Sequence, residues 1–168
     1  IQSLIMNIKI KNKLLLFKDY KLKCSIGKSG FTKSKKEGDL ATPKGMFKLG
    51  TLYYRRDRIK INQCKIRRKQ IKKNMGWCND SRSKNYNKEI ALPSKYSAEK
   101  LYRNDHNYDL FINIKYNFNP IIKKRGSAIF LHLTSNKFKP TQGCIAILKK
   151  DFIKILPLIN KKTKIIIN

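Results

Sequence analysis

Two histidines and four cysteines limit the chemistry available to this chain, and one His–Cys pair has a suggestive spacing. His132 ends an apolar run, and Cys144 opens the next apolar run after a polar loop. A strand-loop-strand connection can bring the end of the first strand beside the start of the second. Thiol-based acyl transfer needs an imidazole that takes the thiol proton and later returns it to a leaving group. His132 and Cys144 are therefore a candidate base and nucleophile.

The residues just before Cys144 fit a loop that shapes a reactive site. Gly143 lets the backbone approach a substrate closely, and the amides of Gly143 and Cys144 are candidates to face a developing oxyanion. Spacing alone leaves an alternative open, since a free cysteine is often simply buried. In that interpretation Cys144 is a small apolar core residue, and His132 is a strand-end residue whose hydrogen-bonding groups are all paired.

The positions of these residues depend on a mainly β fold, which period-two alternation and β-branched clusters predict. We expect short strands at residues 7–10, 13–17, 20–26, 46–52, 110–116, 127–132, 144–148 and 164–167. We expect short helices at 97–103, with Ser97 as N-cap, and at 151–159. Residues 55–73 fit either a strand pair or a frayed helix, and 75–86 an irregular, partly buried loop. A length of 168 residues suits a single domain spanning 1–168.

The charge balance points to polyanions, but with a qualification. The chain has 40 Lys+Arg against 10 Asp+Glu and a net charge of +30. Its basic residues are 32 Lys and only 8 Arg, whereas Arg is the preferred residue for bidentate phosphate and base recognition. Nucleic acid is therefore not expected as a specific partner. No apolar run is long enough to predict a transmembrane helix.

The four cysteines, at 24, 64, 78 and 144, lack the paired spacing of a zinc site, and we predict neither a metal nor a cofactor. Cys24, Cys64 and Cys78 are interpreted as buried or incidental. A Cys64–Cys78 disulfide is an option if the protein is exported. No cleavable signal peptide is visible in the opening residues, where Met6 is one candidate start.

An ordered series of motifs resembles the L,D-transpeptidase catalytic domain (YkuD-type). Residues 125–132, RGSAIFLH, followed by 140–147, PTQGCIAI, resemble the active-site segment of that family. Residues 26–30 with 36–47 resemble its N-terminal half. Residues 77–80, 86–87 and 103–109 resemble the middle of a bacterial branch. The resemblance is strongest over residues 20–160.

The resemblance implies a β-sandwich-like mixed sheet and a cysteine acyltransferase. Cys144 would attack the carbonyl before the terminal D-residue of a peptidoglycan stem tetrapeptide, with His132 as base and then acid. Thr141 and Gln142 would help shape the loop, and the Gly143 and Cys144 amides would form the oxyanion hole. The partners implied are peptidoglycan stem peptides, and carbapenem-type inhibitors are candidates for the same thiol. The compartment implied is the cell envelope or periplasm.

The sequence departs from the family pattern at three points. Many members have a second His where this chain has Gln142, and an Arg where it has Ala146. The spacing from His132 to Cys144 is also shorter than in many members. These departures leave carboxypeptidase action and D-amino-acid exchange open beside cross-linking.

Several other polar residues are candidates for lesser roles. Arg55 and Arg58 lie beside aromatic residues and are candidates to bind a substrate carboxylate, although the general excess of basic residues favours a solvated face. Glu37 and Asp39 are interpreted as support for the pocket. Asp80 and Asp105 fit turns, His106 is expected to be exposed, and residues 65–73 form a basic block.

Two further function classes compete with a peptidoglycan L,D-transpeptidase. One is a basic β module that binds nucleic acid or another polyanion, in which Cys144 is only structural. The other is a degenerate transpeptidase fold that binds peptidoglycan without cross-linking it, an idea motivated by Gln142 and Ala146.

Overall fold

A computed structural model describes residues 6–168, and over these residues the molecule is mainly β. The strands are β1 Ile8–Lys11, β2 Leu14–Phe17, β3 Tyr20–Lys23, β4 Phe31–Thr32, β5 Thr42–Pro43, β6 Gly45–Tyr54, β7 Arg68–Gln70, β8 Met75–Cys78, β9 Glu89–Ala91, β10 Ala98–Lys100, β11 Leu110–Ile114, β12 Phe130–Thr134, β13 Ile145–Leu148 and β14 Lys164–Ile167. One helix, α1 Lys149–Ile155, continues into a 3₁₀ turn at Leu156–Leu158. The opening segment before Met6, searched above for a signal peptide, lies outside the described residues.

Nine strands form one mixed sheet, which confirms the predicted fold class. The strand order is β13-β12-β11-β6-β14-β1-β2-β3, with β7 paired to β6. Three pairs are parallel, namely β12 with β13, β1 with β14 and β6 with β7. The ten-residue strand β6 holds the sheet together because it pairs with β11 through one part of its length and with β14 through the other. Smaller sheets, β10-β8-β9 and β4-β5, flank it.

Side-chain alternation separates two cores on opposite faces of β11, β12 and β13. Leu131, Leu133 and Ile145 belong to a large aliphatic core together with α1. Phe130 and Cys144 belong to a second core that is rich in aromatic side chains. Phe130 lies at its centre, with ring centroids 4.5 Å from Phe111 and 5.1 Å from Trp77. The candidate site therefore lies on the aromatic face of the sheet.

Two predictions in the middle of the chain are wrong. The expected helix at 97–103 is instead strand β10, which pairs with β8 and satisfies its backbone there. The Ser97 N–H, rather than starting a helix, donates to Asp80 Oδ2 at 3.2 Å. The expected loop at 75–86 begins with β8, a strand buried along its whole length between β9 and β10. Only its second part, which contains Asp80 and Tyr86, is irregular.

The strand expected at 127–132 is displaced and runs from Phe130 to Thr134. Its start is delayed because Gly126 and Ala128 have positive φ values of 107° and 53°, which are incompatible with an extended strand. The Ala128 N–H donates to the Asn87 side chain at 3.0 Å, which holds this turn. The shift places His132 in the middle of the strand instead of at its end.

The remaining predicted elements are close to the observed ones. Strand 164–167 has the predicted bounds, and the strands near 7, 13, 20, 46, 110 and 144 differ from them at their ends. The helix predicted at 151–159 begins at Lys149, and Pro157 lies in the 3₁₀ turn that follows α1. Residues 55–73 contain the single short strand β7 and otherwise no regular element. Over residues 6–168, none of the helical segments has the length and apolar character needed to cross a bilayer.

Candidate active site

The Cys144 thiol lies against the backbone of the segment that leads into β12. Its Sγ donates to the Ala128 carbonyl oxygen at 3.1 Å and accepts the Phe130 N–H at 3.3 Å. The residue is 8% exposed. Burial raises the pKa of this thiol to about 12, because a thiolate would lose its solvation. At neutral pH Cys144 is therefore a protonated thiol.

The His132 imidazole is buried and has a defined tautomer. Its Nδ1 lies 2.8 Å from the Leu133 carbonyl oxygen, which can only accept, so Nδ1 carries the hydrogen and donates it. Nε2 is left as an unprotonated acceptor. Burial lowers the pKa of His132 to about 4, so the ring is neutral at pH 7. The Tyr108 ring packs edge-on against it, with centroids 5.3 Å apart.

The structure brings His132 and Cys144 together by a parallel strand pairing, not by the direct strand-loop-strand contact expected above. The register pairs His132 with Ala146, so Cys144 lies level with Phe130 on the neighbouring strand. Two positions along the strand and one strand across correspond to about 8 Å between Cα atoms. Because the offset is even, both side chains lie on the same face, and both line one cavity of ≈ 650 Å³. The His132 imidazole and the Cys144 thiol thus share a single cavity.

Thr141, Gln142 and Gly143 form a tight turn that leads into Cys144. The Thr141 hydroxyl donates to the Cys144 carbonyl oxygen at 2.6 Å and accepts the Gly143 N–H at 3.1 Å. The Gly143 carbonyl in turn accepts the Thr42 hydroxyl at 2.9 Å. Gln142 is exposed at the cavity rim. The Gly143 amide is thus directed at Thr141, and the structure does not present it to the cavity as the expected oxyanion donor.

Arg55 and Arg58 do not line the cavity. Arg55 is 3% exposed and makes two hydrogen bonds with Asp57, at 2.8 and 2.7 Å. Arg58 donates to the Asp109 carboxylate at 2.8 Å. These arginines are occupied by neighbouring carboxylates, so their placement does not support the interpretation of them as substrate-binding residues.

Five charged residues that sequence reasoning did not assign to the site line the cavity: Lys35, Glu99, Arg103 and the exposed Lys137 and Lys139. Glu99 accepts the Tyr108 hydroxyl, and burial raises the pKa of its carboxyl group. Arg103 stacks over the Tyr108 ring at 4.7 Å and pairs with Asp105. Glu99 and Arg103 were missed because 97–103 was interpreted as a helix. Arg103 and Ala146 line the same cavity, so a guanidinium is present there although residue 146 is not an arginine.

Glu37 lines the cavity, whereas Asp39 lies outside it and pairs with Lys35, which does line it. Glu37 Oε1 accepts the hydroxyls of Tyr86 at 2.7 Å and Ser127 at 2.6 Å, which joins three distant segments. Asp39 forms an ion pair with Lys35 at 2.5 Å. Glu37 therefore ties together segments of the cavity wall, and Asp39 holds the lining residue Lys35.

The remaining histidine and cysteines lie away from the cavity. His106 has a side chain that is 79% exposed, with Nδ1 at 2.7 Å from Asp109. Cys24 and Cys78 are buried and Cys64 is half-buried, and all are free thiols, so the disulfide option for Cys64 and Cys78 is not realised here. Within residues 6–168, no group of three His, Cys, Asp or Glu side chains is arranged to hold a metal ion.

Fold and site together define a mainly β protein with a thiol and an imidazole in one cavity. The chain belongs to the YkuD family, the L,D-transpeptidase catalytic domain, whose family model matches residues 5–167. This is an enzyme family that acts on peptidoglycan. No curated protein matches the chain.

Among solved structures, the chain is similar to L,D-transpeptidase 1 of Mycobacterium tuberculosis. The sequence identity is 10% and the TM-score 0.39. The similarity covers 96% of this chain and 60% of that one, so this chain spans less than two thirds of the length of the solved protein.

Proposed function

We propose that this protein is a peptidoglycan L,D-transpeptidase in which Cys144 is the nucleophile and His132 the general base. The observation that carries the proposal is the shared cavity, in which a thiol and an imidazole with a free Nε2 lie on one face of adjacent parallel strands. Family membership supports the class of reaction. The residue roles rest on the geometry and the family signature.

The reaction begins from a neutral thiol and a neutral imidazole. In the resting state the thiol hydrogen is donated to the Ala128 carbonyl oxygen. It is donated to His132 Nε2 instead as Sγ approaches the carbonyl carbon of the stem peptide. The S–C bond forms while Nε2 takes the proton, and the carbonyl electron pair moves onto oxygen. His132 then returns the proton to the nitrogen of the terminal D-residue. The C–N bond breaks, the D-amino acid leaves, and a Cys144 thioester remains.

The second half of the reaction resolves the thioester. An acceptor amine attacks the carbonyl carbon, His132 takes a proton from its nitrogen, and the Cys144 sulfur leaves and is reprotonated. Water in place of the amine would give hydrolysis, which is carboxypeptidase action. In this proposal stem tetrapeptides are the acyl donors. The protein would then act in the cell envelope, where peptidoglycan lies.

A non-catalytic peptidoglycan-binding role is the second candidate. It is favoured by the resting thiol, which donates to a backbone carbonyl and whose pKa burial raises to about 12. It is also consistent with Gln142 and Ala146 at positions where many family members have His and Arg. In this role Cys144 would be a packed core residue and the cavity a binding site.

Product analysis distinguishes the two. The protein is incubated with disaccharide-tetrapeptide, and the products are separated and identified by their masses. Transpeptidation gives a cross-linked dimer and a free D-amino acid, while hydrolysis gives a disaccharide-tripeptide. Cys144→Ala should give neither. Cys64→Ala removes a thiol that lies outside the cavity. It is the matched control and should retain turnover. Binding without products in the wild type would favour the second candidate.

A further inference from the structure

A buried lysine lies beside the turn that presents Cys144. Lys35 is 5% exposed, which is rare for this residue type. Its aliphatic chain passes so close to Gly126 that a Cβ there would be 3.0 Å from Lys35 Cγ. Its Nζ lies 3.5 Å from the position that a Cβ on Gly143 would occupy. The ammonium group is therefore held next to the residue that precedes the nucleophile.

The hydrogen bonds of Lys35 leave one donor for the cavity. Nζ donates to Asp39 Oδ1 at 2.5 Å and to the Lys36 carbonyl at 3.2 Å. An ammonium group has three N–H donors, and among residues 6–168 these are the two acceptors it contacts. Lys35 also lines the same cavity as Cys144 and His132. The third N–H is thus available to a ligand in that cavity.

The turn itself creates a need for such a donor. Acyl transfer places negative charge on the carbonyl oxygen, and preorganised donors commonly stabilise it. The Gly143 N–H is occupied by the Thr141 hydroxyl at 3.1 Å. Of the two amides expected to serve as donors, one is therefore already committed inside the turn.

We propose that Lys35 supplies an oxyanion-stabilising N–H to the Cys144 site, in place of the Gly143 amide. This inference rests on the proposed function. As the Sγ–C bond forms, the carbonyl π pair moves to oxygen, and the Lys35 ammonium donates a hydrogen bond to that oxygen without giving up its proton. When the C–N bond breaks, the pair returns to form the thioester carbonyl.

The test compares two reactions of the same thiol. Acylation by disaccharide-tetrapeptide develops an oxyanion at the attacked carbonyl, whereas alkylation by iodoacetamide displaces iodide and develops none. Lys35→Met should lower the acylation rate constant about 100-fold, the size of effect seen when an oxyanion donor is removed. Alkylation of Cys144 should fall far less. Lys33→Met, an exposed lysine on the same loop, is the control for lost charge and should change neither rate.

Each outcome decides the proposal. Equal losses in acylation and alkylation would show that Lys35 only supports the loop or the thiol, and unchanged acylation would show that it does nothing; both overturn the inference. If Lys35→Met does not fold, Lys35→Gln, which is neutral and shorter, is judged by the same contrast. Acylation absent in the wild type would refute the proposed function as well, whereas acylation that survives in Lys35→Met would refute the inference alone.

Discussion

At the residue scale, burial decides the protonation of both candidate catalytic side chains, Cys144 and His132. It raises the pKa of Cys144 to about 12 and lowers that of His132 to about 4. A preformed thiolate–imidazolium pair is therefore disfavoured at pH 7, and the proton must move during attack. The uncharged resting pair explains how the site can lie in an aromatic core with little access to water.

Alkylation kinetics test this resting state. The rate of Cys144 modification by iodoacetamide should rise steadily with pH from 6 to 10, because the thiolate fraction keeps increasing below a pKa of about 12. Mass mapping of the modified peptide follows Cys144 separately from the other cysteines. A plateau beginning near or below pH 7 would instead reveal a preformed ion pair.

His132 should make the stability of the protein depend on pH. In the unfolded chain its pKa is about 6.5, and in the native protein about 4. Between these values the unfolded state binds a proton that the native state does not, so stability falls as pH falls through that window. The loss approaches roughly 3 kcal/mol at the acid end.

Denaturant unfolding at pH 7 and pH 4.5 measures that loss. Comparison with His132→Gln isolates it, since the variant lacks the titrating group. An equal dependence in wild type and His132→Gln would refute the assignment.

At the scale of elements, the turn before β13 depends on glycine at one position. Gly143 has φ of +137°, and a Cβ there would lie 2.8 Å from the Ala41 carbonyl oxygen. Gly143→Ala should therefore combine backbone strain with a clash against main chain, and cost about 2–3 kcal/mol. It should also lower acylation, because Cys144 follows directly.

Gly30→Ala is the matched control for Gly143→Ala. Gly30 also has a positive φ, of +76°, but a Cβ there meets nothing within 4 Å. It should cost about 1 kcal/mol and leave acylation unchanged. Equal losses of unfolding free energy in the two variants would show that the contact with Ala41 is unimportant.

Local patterns predicted the elements better than they predicted the pairing. Alternation identified the segment that forms Leu110–Ile114, and a cluster of β-branched residues identified Lys164–Ile167. The segment at 97–103 was misread because its strand exists only through pairing with β8. The parallel register of β12 and β13 and the approach of Lys35 to Gly143 are contacts between distant residues, which no local pattern encodes.

The candidate site was predictable in its reactive pair but not in its surroundings. His132 and Cys144 were identified from residue type, spacing and the family signature, and the structure brings them to one cavity. The pairing of Arg55 with Asp57 and of Arg58 with Asp109 was not predicted, because it depends on the fold. Arg103 lines the cavity because it follows β10, a strand that itself contributes Glu99 to the cavity.

At the scale of the whole molecule, a net charge of +30 dominates long-range behaviour. We expect binding to duplex DNA at low salt that is independent of sequence and falls steeply between 50 and 200 mM NaCl. Fluorescence anisotropy with two unrelated duplexes measures it. Cys144→Ala should bind as the wild type does, since the attraction is a property of the surface. Salt-resistant, sequence-selective binding would favour the nucleic-acid module instead.

The single-domain organisation over residues 1–168 stays a prediction. The main sheet joins the two ends of the described chain, because β1 pairs with β14. The same sheet carries β12 and β13 and so positions the candidate site. This arrangement links global stability to the geometry of Cys144.

The central claim is that Cys144 is an acylating nucleophile, and intact-protein mass spectrometry tests it most directly. Wild-type protein is exposed separately to disaccharide-tetrapeptide and to a carbapenem, with folded Cys144→Ala as control. The account predicts a covalent adduct of one acyl group on the wild type and none on Cys144→Ala. Folded wild-type protein that stays unmodified by both reagents, or an adduct that persists in Cys144→Ala, would contradict it.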